Sequence, residues 1–567
     1  MKKDPSKILI LIIIIGAIVR ILGVNFGLPF IYHNDEKIIV NYALAYGAGD
    51  LNPHFFKIPP LLSYFLFFLY GIFYIAGKIL GIFNSISEFG YLFLNNPTSF
   101  FIIGRFFAGV IPGILSIPLI FYLAERAFSR RVAIFASLFL SLNFLHVRDS
   151  HYIYCDILLV FFILLFFIWL FKIFEKNRTS DYFVTALIIG IATSIKYNGI
   201  LLFIPFLLII LRNKAFFKDS NIVLFKRLFG IGLFYPIALF FSNPYMFLDY
   251  KFFFNDISRM PFYNPGFFYH LKVSIVGGCG LLIFLFSIGG FTIAIFKKHF
   301  FAITLGFFGL IYYFIVARLS QSAERYILPL IPAILLFAAY FLDYIIQKVK
   351  AVKAQLILSV LFCIILLTPS LFKIYKSDKL FTMDDTRTQA YEWIKKNIPF
   401  NTKIAVDSTG SIYPVLRQSK EFIDINVKNF KKEKFRKPEG SLDYKIELIK
   451  NNPYYDNTYR IYYLKKSIGQ KGFFLSFPEV ELNIDQIKTK GIEYIVVSTL
   501  LISNTGKKFL PVLEKNTNLI KEFSPYNKSI SKLIPDELTV LPAAAFTYRE
   551  LKDRDRFGPV IRIYKFK

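Results

Sequence analysis

Along most of this chain apolar residues do not alternate with polar ones but come in long runs. Ile8 to Val24 is one, behind Lys2, Lys3 and Lys7, and others follow, broken by short polar loops, as far as Phe372. About 20 apolar residues cross a 30 Å hydrocarbon layer, so these runs predict about 11 to 13 membrane-spanning helices. The Ile8–Val24 run lacks a small-residue cleavage site and reads as a retained first span. Pro59 to Phe83 fits less simply, because a single crossing there would invert every later loop. It reads as re-entrant, as lying at the outer interface, or as paired with the short apolar piece at Tyr91 to Leu94.

From Lys373 to Lys567 the pattern becomes polar, lysine-rich and mixed in period. Asp384-Asp385-Thr386 precedes a helix at Arg387 to Asn397, which Pro399 stops. Strands are predicted at Lys403 to Asp407, Tyr494 to Ser498 and Val560 to Tyr564. The chain therefore divides into a transmembrane domain, residues 1–372, with a first outer loop at about 25–58, and a soluble α/β domain, residues 373–567. Neither an internal repeat nor a low-complexity linker is visible.

Composition sharpens this picture. The 567 residues are 55% hydrophobic and 19% charged, with a formal net charge of +29. A nucleic-acid partner would explain the charge but not the apolar runs, whereas positive cytoplasmic loops explain both. The basic loops are the N-terminal lysines, Glu125 to Arg131, Lys172 to Arg178, Arg212 to Arg227, Lys297-Lys298 and Lys348 to Lys353. Placing them inside predicts a multi-pass protein of the cell membrane with a cytoplasmic N-terminus and an extracytoplasmic C-terminal domain. Cys155, Cys279 and Cys363 have no metal-ligand spacing and read as small core residues. The lysines from Lys428 to Lys437 read as a solvated face able to steer an anionic acceptor.

Candidate chemistry gathers on the outside. Asp35-Glu36 directly follows the first span, and adjacent carboxylates there suit a general base, a cation ligand or a partner for a charged donor. Lys57, Arg105, Lys196 and Arg325 recur on the same side, as do Arg148, Asp149, His151 and Asp156. Charges at membrane depth are costly and mark a site or a pathway. Pairing of Asp156 with Arg148 is the simplest structural reading of that acid, and His33 and His151 could join Asp35 and Asp156 in a divalent-cation site.

The Asp-Glu pair, Lys57-Ile-Pro-Pro-Leu, the Arg105 span, Arg148 to Asp156, Lys196 within Gly190 to Gly199 and Arg325-Tyr-Ile-Leu-Pro together resemble the protein O-mannosyltransferase type, glycosyltransferase family 39. That group includes the aminoarabinose transferases of lipid A, and Asp385-Thr386-Arg387 resembles the start of soluble domains attached to its bacterial and archaeal members. The resemblance implies a GT-C fold and a polyprenyl-phosphate sugar donor. A mannose-like or other hexose or pentose would pass to a hydroxyl of a protein, lipid or glycan, with inversion. It implies Asp35 as general base and Glu36 as the residue orienting it or meeting the acceptor. Lys57, Arg105, Lys196 and Arg325 would hold the donor phosphate, and Asp156 would be the second outer-loop acid. Phe56 stands where some lipid-modifying relatives carry an acid, and there is no room for the β-trefoil insert of eukaryotic protein mannosyltransferases. The alternative from another class is a transporter or lipid-linked sugar flippase. Gathering of the charges at one face, without related halves, favours the enzyme.

Overall fold

The computed structural model describes residues 5–258, 267–318, 323–407, 414–421, 447–448, 457–465, 478–498, 504–526, 551 and 554–567. The Lys428–Lys437 patch lies outside them. Among the described residues, seven helices are long and apolar enough to cross a membrane, and eight if one bent pair counts as a single span. Thr179–Ile195 and Phe300–Val316 are shorter apolar helices. The count falls below the expected 11 to 13 because several apolar runs form helices too short to cross alone. Arg130–Ser141, for example, has only 12 residues. The bent pair, His270–Cys279 and Leu281–Phe296, turns by 102° at Gly280, whose φ of +94° lies where side chains rarely go.

The first helices set the frame of the loop that carries Lys57. Helix α1 is Pro5–Ile21, α2 is Asn34–Ala45, α3 is Leu61–Ile79 and α4 is Ile86–Asn95. Within Pro59 to Phe83, Leu61–Ile79 is one of the helices long enough to cross a membrane, and it packs against α4, which contains Tyr91 to Leu94. Phe73 of α3 stacks edge-on with Phe83 and with Phe89 of α4, at centroid distances of 5.7 and 5.6 Å. The Tyr70 hydroxyl donates to the Phe100 carbonyl at 3.0 Å.

Within the apolar body, Arg20 is fully buried. It donates to the Ser141 and Leu140 carbonyls, where the helix Arg130–Ser141 leaves its terminal oxygens free. The long helix Thr98–Ala127 passes so close to the loop after Asp149 that a Cβ on Gly109 would sit 2.2 Å from the Ser150 carbonyl oxygen. That approach fixes the segment leading into Asp156. Gly109→Val is therefore expected to destabilise the fold by about 1–3 kcal/mol through overpacking against backbone, read as a lower thermal midpoint. An unchanged midpoint would show that the contact yields freely.

The helix Val352–Phe381 runs straight through the change of composition at Lys373, so the boundary expected there lies inside a helix rather than in a linker. Beyond it, a six-stranded sheet has the order β3-β2-β1-β4-β6-β5. The strands are β1 Lys403–Asp407, β2 Arg460–Lys465, β3 Glu479–Glu481, β4 Tyr494–Ser498, β5 Thr517–Phe523 and β6 Ile561–Phe566. The first four run parallel, and β6 and β5 antiparallel. Side chains alternate between two buried faces: Ala405 and Ile495 pack with Ile487 and Leu513 on one, Ile404 and Val496 with Ala390 and Ile394 on the other. Burial on both faces explains why the middles of β1 and β4, Ile404 to Val406 and Ile495 to Val497, are unbroken apolar runs.

Candidate active site

Helix α2 begins after His33, whose extended backbone (φ −90°, ψ 115°) ends the descent from the first span. Asp35 and Glu36 lie in its first turn, where free N–H groups and the helix dipole favour carboxylates. Neighbouring residues on a helix point about 100° apart, so the two acids meet different partners.

Glu36 turns inward. Both it and Arg105 are fully buried, and they form a two-pronged pair, Arg105 Nε to Oε1 and Nη2 to Oε2, each at 2.9 Å. Arg105 Nη1 also donates to the Val24 and Phe26 carbonyls at 2.7 and 2.9 Å, and its guanidinium lies 4.0 Å from the Phe26 ring centroid. The Ile153 amide completes the set by donating to Glu36 Oε1 at 3.0 Å. This geometry corrects two expectations. Arg105 has no open face to offer a donor phosphate, and Glu36 cannot meet an acceptor. Together they tie α2 to the span behind it and so set where Asp35 stands.

Asp35 turns outward. Its Oδ2 accepts from Arg325 Nη2 at 2.9 Å, and the Arg325 Nε lies 3.6 Å from Asp156 Oδ2. On its other oxygen Asp156 accepts from Lys196 Nζ at 2.6 Å. Four charges from four separate segments thus alternate in sign along one chain, Asp35–Arg325–Asp156–Lys196. Tyr154 and Tyr326 flank it, with the Arg325 guanidinium 4.6 Å from the Tyr154 ring centre and Lys196 Nζ 4.6 Å from that of Tyr326. The side chains of Asp35 and Arg325 stay 23% and 13% exposed, so the Asp35 end is the open one.

Asp156 does not pair with Arg148. Arg148 binds Asp149 Oδ2 at 3.0 and 2.7 Å and Glu324 Oε2 at 2.5 Å, all within the buried interior. Burial pushes the Asp149 carboxyl up, and Arg148 pulls it partly back. Nor do His33, His151, Asp35 and Asp156 converge on a cation site: among the described residues no three His, Cys, Asp or Glu side chains are grouped to hold a metal. The group bridging Asp35 and Asp156 is the Arg325 guanidinium. His151 sits between the Val147 and Leu22 carbonyls at 3.0 and 2.8 Å. The His33 ring lies 4.6 Å from that of Tyr152.

Burial holds His33 below the ordinary imidazole range, with Asp35 and Glu36 partly opposing. A lower value in the fold means that the unfolded chain takes up the proton first. Stability present above about pH 6.5 is therefore lost as pH falls toward the folded value. The thermal midpoint is expected to drop less between about pH 7 and pH 5 in His33→Gln than in the wild type. Equal drops would remove His33 as a source of acid sensitivity.

Lys57 is exposed, with no ion pair to it among the described residues. Its neighbour Phe56 is fixed from both sides: its amide donates to the buried Asp256 at 2.8 Å, and its carbonyl accepts from the Tyr197 hydroxyl at 2.8 Å. Tyr197 directly follows Lys196, so the Lys57 loop is tied to the segment carrying the end of the charge chain. The Asp385-Thr386-Arg387 motif closes the other side. Asp385 caps the helix Thr386–Asn397 and holds Arg387 at 2.8 and 2.6 Å. The Arg387 guanidinium lies 3.8 Å from the Tyr32 ring centroid, and the Tyr32 hydroxyl meets Thr388 Oγ1 at 2.8 Å. The C-terminal region thereby grips the residues just ahead of Asp35.

Residues 92–240 match the family model described as dolichyl-phosphate-mannose-protein mannosyltransferase, a stretch that includes Arg105, Asp156 and Lys196 but not Asp35, Lys57 or Arg325. No curated protein sequence matches the chain. Among solved structures, it is similar to the apo oligosaccharyltransferase of Archaeoglobus fulgidus over 94% of this chain and 75% of that one, at 12% identity and a TM-score of 0.50. It is similar to ArnT from Cupriavidus metallidurans bound to undecaprenyl phosphate over 90% and 96% of the two chains, at 12% identity and a TM-score of 0.48. The S. cerevisiae Pmt1–Pmt2 protein O-mannosyltransferase complex bound to its sugar donor shares 47% of this chain and 37% of that one, at 22% identity and a TM-score of 0.33. These are GT-C glycosyltransferases, the type that the sequence motifs resemble. At 12% identity the likeness to the Archaeoglobus structure is one of fold.

Proposed function

We propose that this protein is an integral-membrane glycosyltransferase that moves a sugar from a polyprenyl-phosphate donor to an acceptor hydroxyl on the outer face of the cell membrane. The observation that carries the reading is the Asp35–Arg325–Asp156–Lys196 chain beside exposed Lys57. It puts one open carboxylate next to several fixed cations. The match of residues 92–240 to a family described by its dolichyl-phosphate-mannose donor supports the donor class.

In this reading Asp35 accepts the proton of the acceptor hydroxyl. The acceptor oxygen attacks the anomeric carbon as the bond to the phosphate oxygen breaks, and the electron pair leaves with polyprenyl phosphate. One displacement inverts the anomeric centre. Charge grows on the leaving phosphate, and positioned cations lower that cost more than covalent chemistry would. Lys57, Lys196 and the open side of Arg325 supply them, and Asp156 holds the last two in place. No nucleotide-binding loop is required, because the donor is a lipid.

The test uses purified protein in nanodiscs with a polyprenyl-phosphate sugar. Release of polyprenyl phosphate is expected, and movement of intact donor between leaflets would make the protein a flippase instead. Lys57→Gln should weaken donor binding by about 1.5–3 kcal/mol, the worth of a hydrogen bond to a charged group. Unchanged affinity in a donor titration would free Lys57 from that role.

A further inference from the structure

We propose that the short helix Tyr250–Ser258 rides in the outer leaflet of the bilayer and from there sets the depth at which Lys57 stands. The proposal rests on the glycosyl-transfer reading only for what Lys57 does at that depth. Nine residues at about 100° each divide this helix into three sides. Phe253 and Asp256 are buried and face the protein. Tyr250 and Phe254, one turn apart, are large and apolar yet exposed, Phe254 by 65%. Lys251, Asn255 and Ser258 take the remaining side and are exposed as well. A helix with protein on one side, apolar rings on the second and polar groups on the third fits a membrane surface. Its second side lies in the acyl region and its third among headgroups and water. Aromatic rings are enriched at that boundary.

Continuity with a spanning helix names the occupant. Asn221–Ser242 is one of the helices long and apolar enough to cross, and Phe241 in its last turn is 81% exposed. Beside it, the Phe240 ring packs on that of Phe247 at 5.8 Å. Phe247 and Leu248 then lead, with exposed side chains, into Tyr250. Exposed apolar residues therefore run from the lipid-facing end of the span onto the short helix, and the lipid that bathes the first bathes the second.

Two acids seven residues apart, Asp249 and Asp256, tie this helix to the loop ahead of Lys57. Asp249 Oδ2 accepts from Asn52 Nδ2 at 2.9 Å, and Asp256 Oδ2 accepts from the Phe56 amide at 2.8 Å. Seven helical residues rise about 10 Å, within reach of the extended steps from Asn52 to Phe56. The Phe56 ring also meets that of Phe253 edge-on at 5.6 Å. The loop is thus laid along the helix and pinned at both ends, and Lys57 is the next residue. A shift of the helix along the membrane normal carries Lys57 with it. An ammonium acts on a lipid phosphate as a point charge, so its height among the headgroups fixes how closely it approaches.

Trp169 and Trp393 are the chain's two tryptophans, and changing both to Phe gives a dark background in the full-length protein. It is placed in phosphatidylcholine nanodiscs, one copy per disc. Lipid brominated high on one acyl chain is expected to quench Phe254→Trp strongly. Asn255→Trp should be quenched roughly threefold less, because it lies about 100° further around the helix. A tryptophan at position 254 that brominated lipid leaves bright, the result a protein partner on this face would give, would overturn the leaflet placement. Equal quenching at the two positions would overturn it too. The depth link is read at Lys57→Trp with lipid carrying a nitroxide on its headgroup. Phe254→Asp, which drives that side out of the acyl region, should cut this quenching about twofold, and Phe254→Leu should leave it unchanged. Quenching at residue 57 that ignores Phe254→Asp would overturn the link. With Lys57 in place, Phe254→Asp should raise the dissociation constant of dolichyl phosphate roughly fivefold. A changed depth with unchanged affinity would refute the donor-phosphate role of Lys57, whereas an unchanged depth would refute the present proposal alone.

Discussion

Asp35→Asn is expected to slow sugar transfer by about 10²–10⁴-fold, the usual worth of a general base, while donor affinity and thermal midpoint stay close to wild type. The amide keeps the shape of the carboxylate, and its oxygen can still accept from Arg325, so the ties around α2 survive. Only the ability to take a proton is lost. The effect should therefore fall on turnover at saturating donor and acceptor, with the donor titration unmoved. Near-normal turnover would take the proton-accepting role away from Asp35.

Arg105→Gln is expected to destabilise the protein by about 3–5 kcal/mol, the cost of leaving one member of a buried ion pair alone. Glu36 would keep the Ile153 amide as a partner but lose both guanidinium bonds in a site without solvent. Replacing both residues by apolar ones of similar size, Arg105→Met with Glu36→Leu, should recover much of the loss, because neither charge is then stranded. Thermal unfolding in detergent reads both variants. If Arg105→Gln kept its stability and lost donor affinity instead, the phosphate-binding role first expected of Arg105 would be restored.

Much of the local structure was legible before any coordinates. The helix predicted at Arg387 to Asn397 forms as Thr386–Asn397, with Asp385 as its cap. Strands β1 and β4 match their predicted ranges, and the third, predicted at Val560 to Tyr564, forms at Ile561–Phe566. These elements announce themselves through local signals: a capping residue, a stopping proline, an apolar string.

Partner choice among the charges was not legible, for a physical reason. Asp35 and Glu36 are adjacent in sequence, yet one helical step sends the first to Arg325 and the second to Arg105. Arg148 passes over Asp156 for its neighbour Asp149 and for Glu324, which lies 176 residues away. Glu324 went unread although it stands directly before Arg325, which had been singled out. Arg20 and Asp256 were missed as well. A buried arginine held by distant carbonyls and the His146 ring, and a buried acid that accepts from a backbone amide, leave no partner motif in the sequence.

The central claim is that Asp35 drives a single displacement at the anomeric carbon of a polyprenyl-phosphate sugar. The measurement that bears on it most directly is the anomeric configuration of the product, read by NMR from a donor labelled with ¹³C at that carbon. The account predicts a glycoside of the opposite configuration to the donor, formed by the wild type and nearly absent with Asp35→Asn. Retained configuration, or inverted product formed at an undiminished rate by Asp35→Asn, would contradict it.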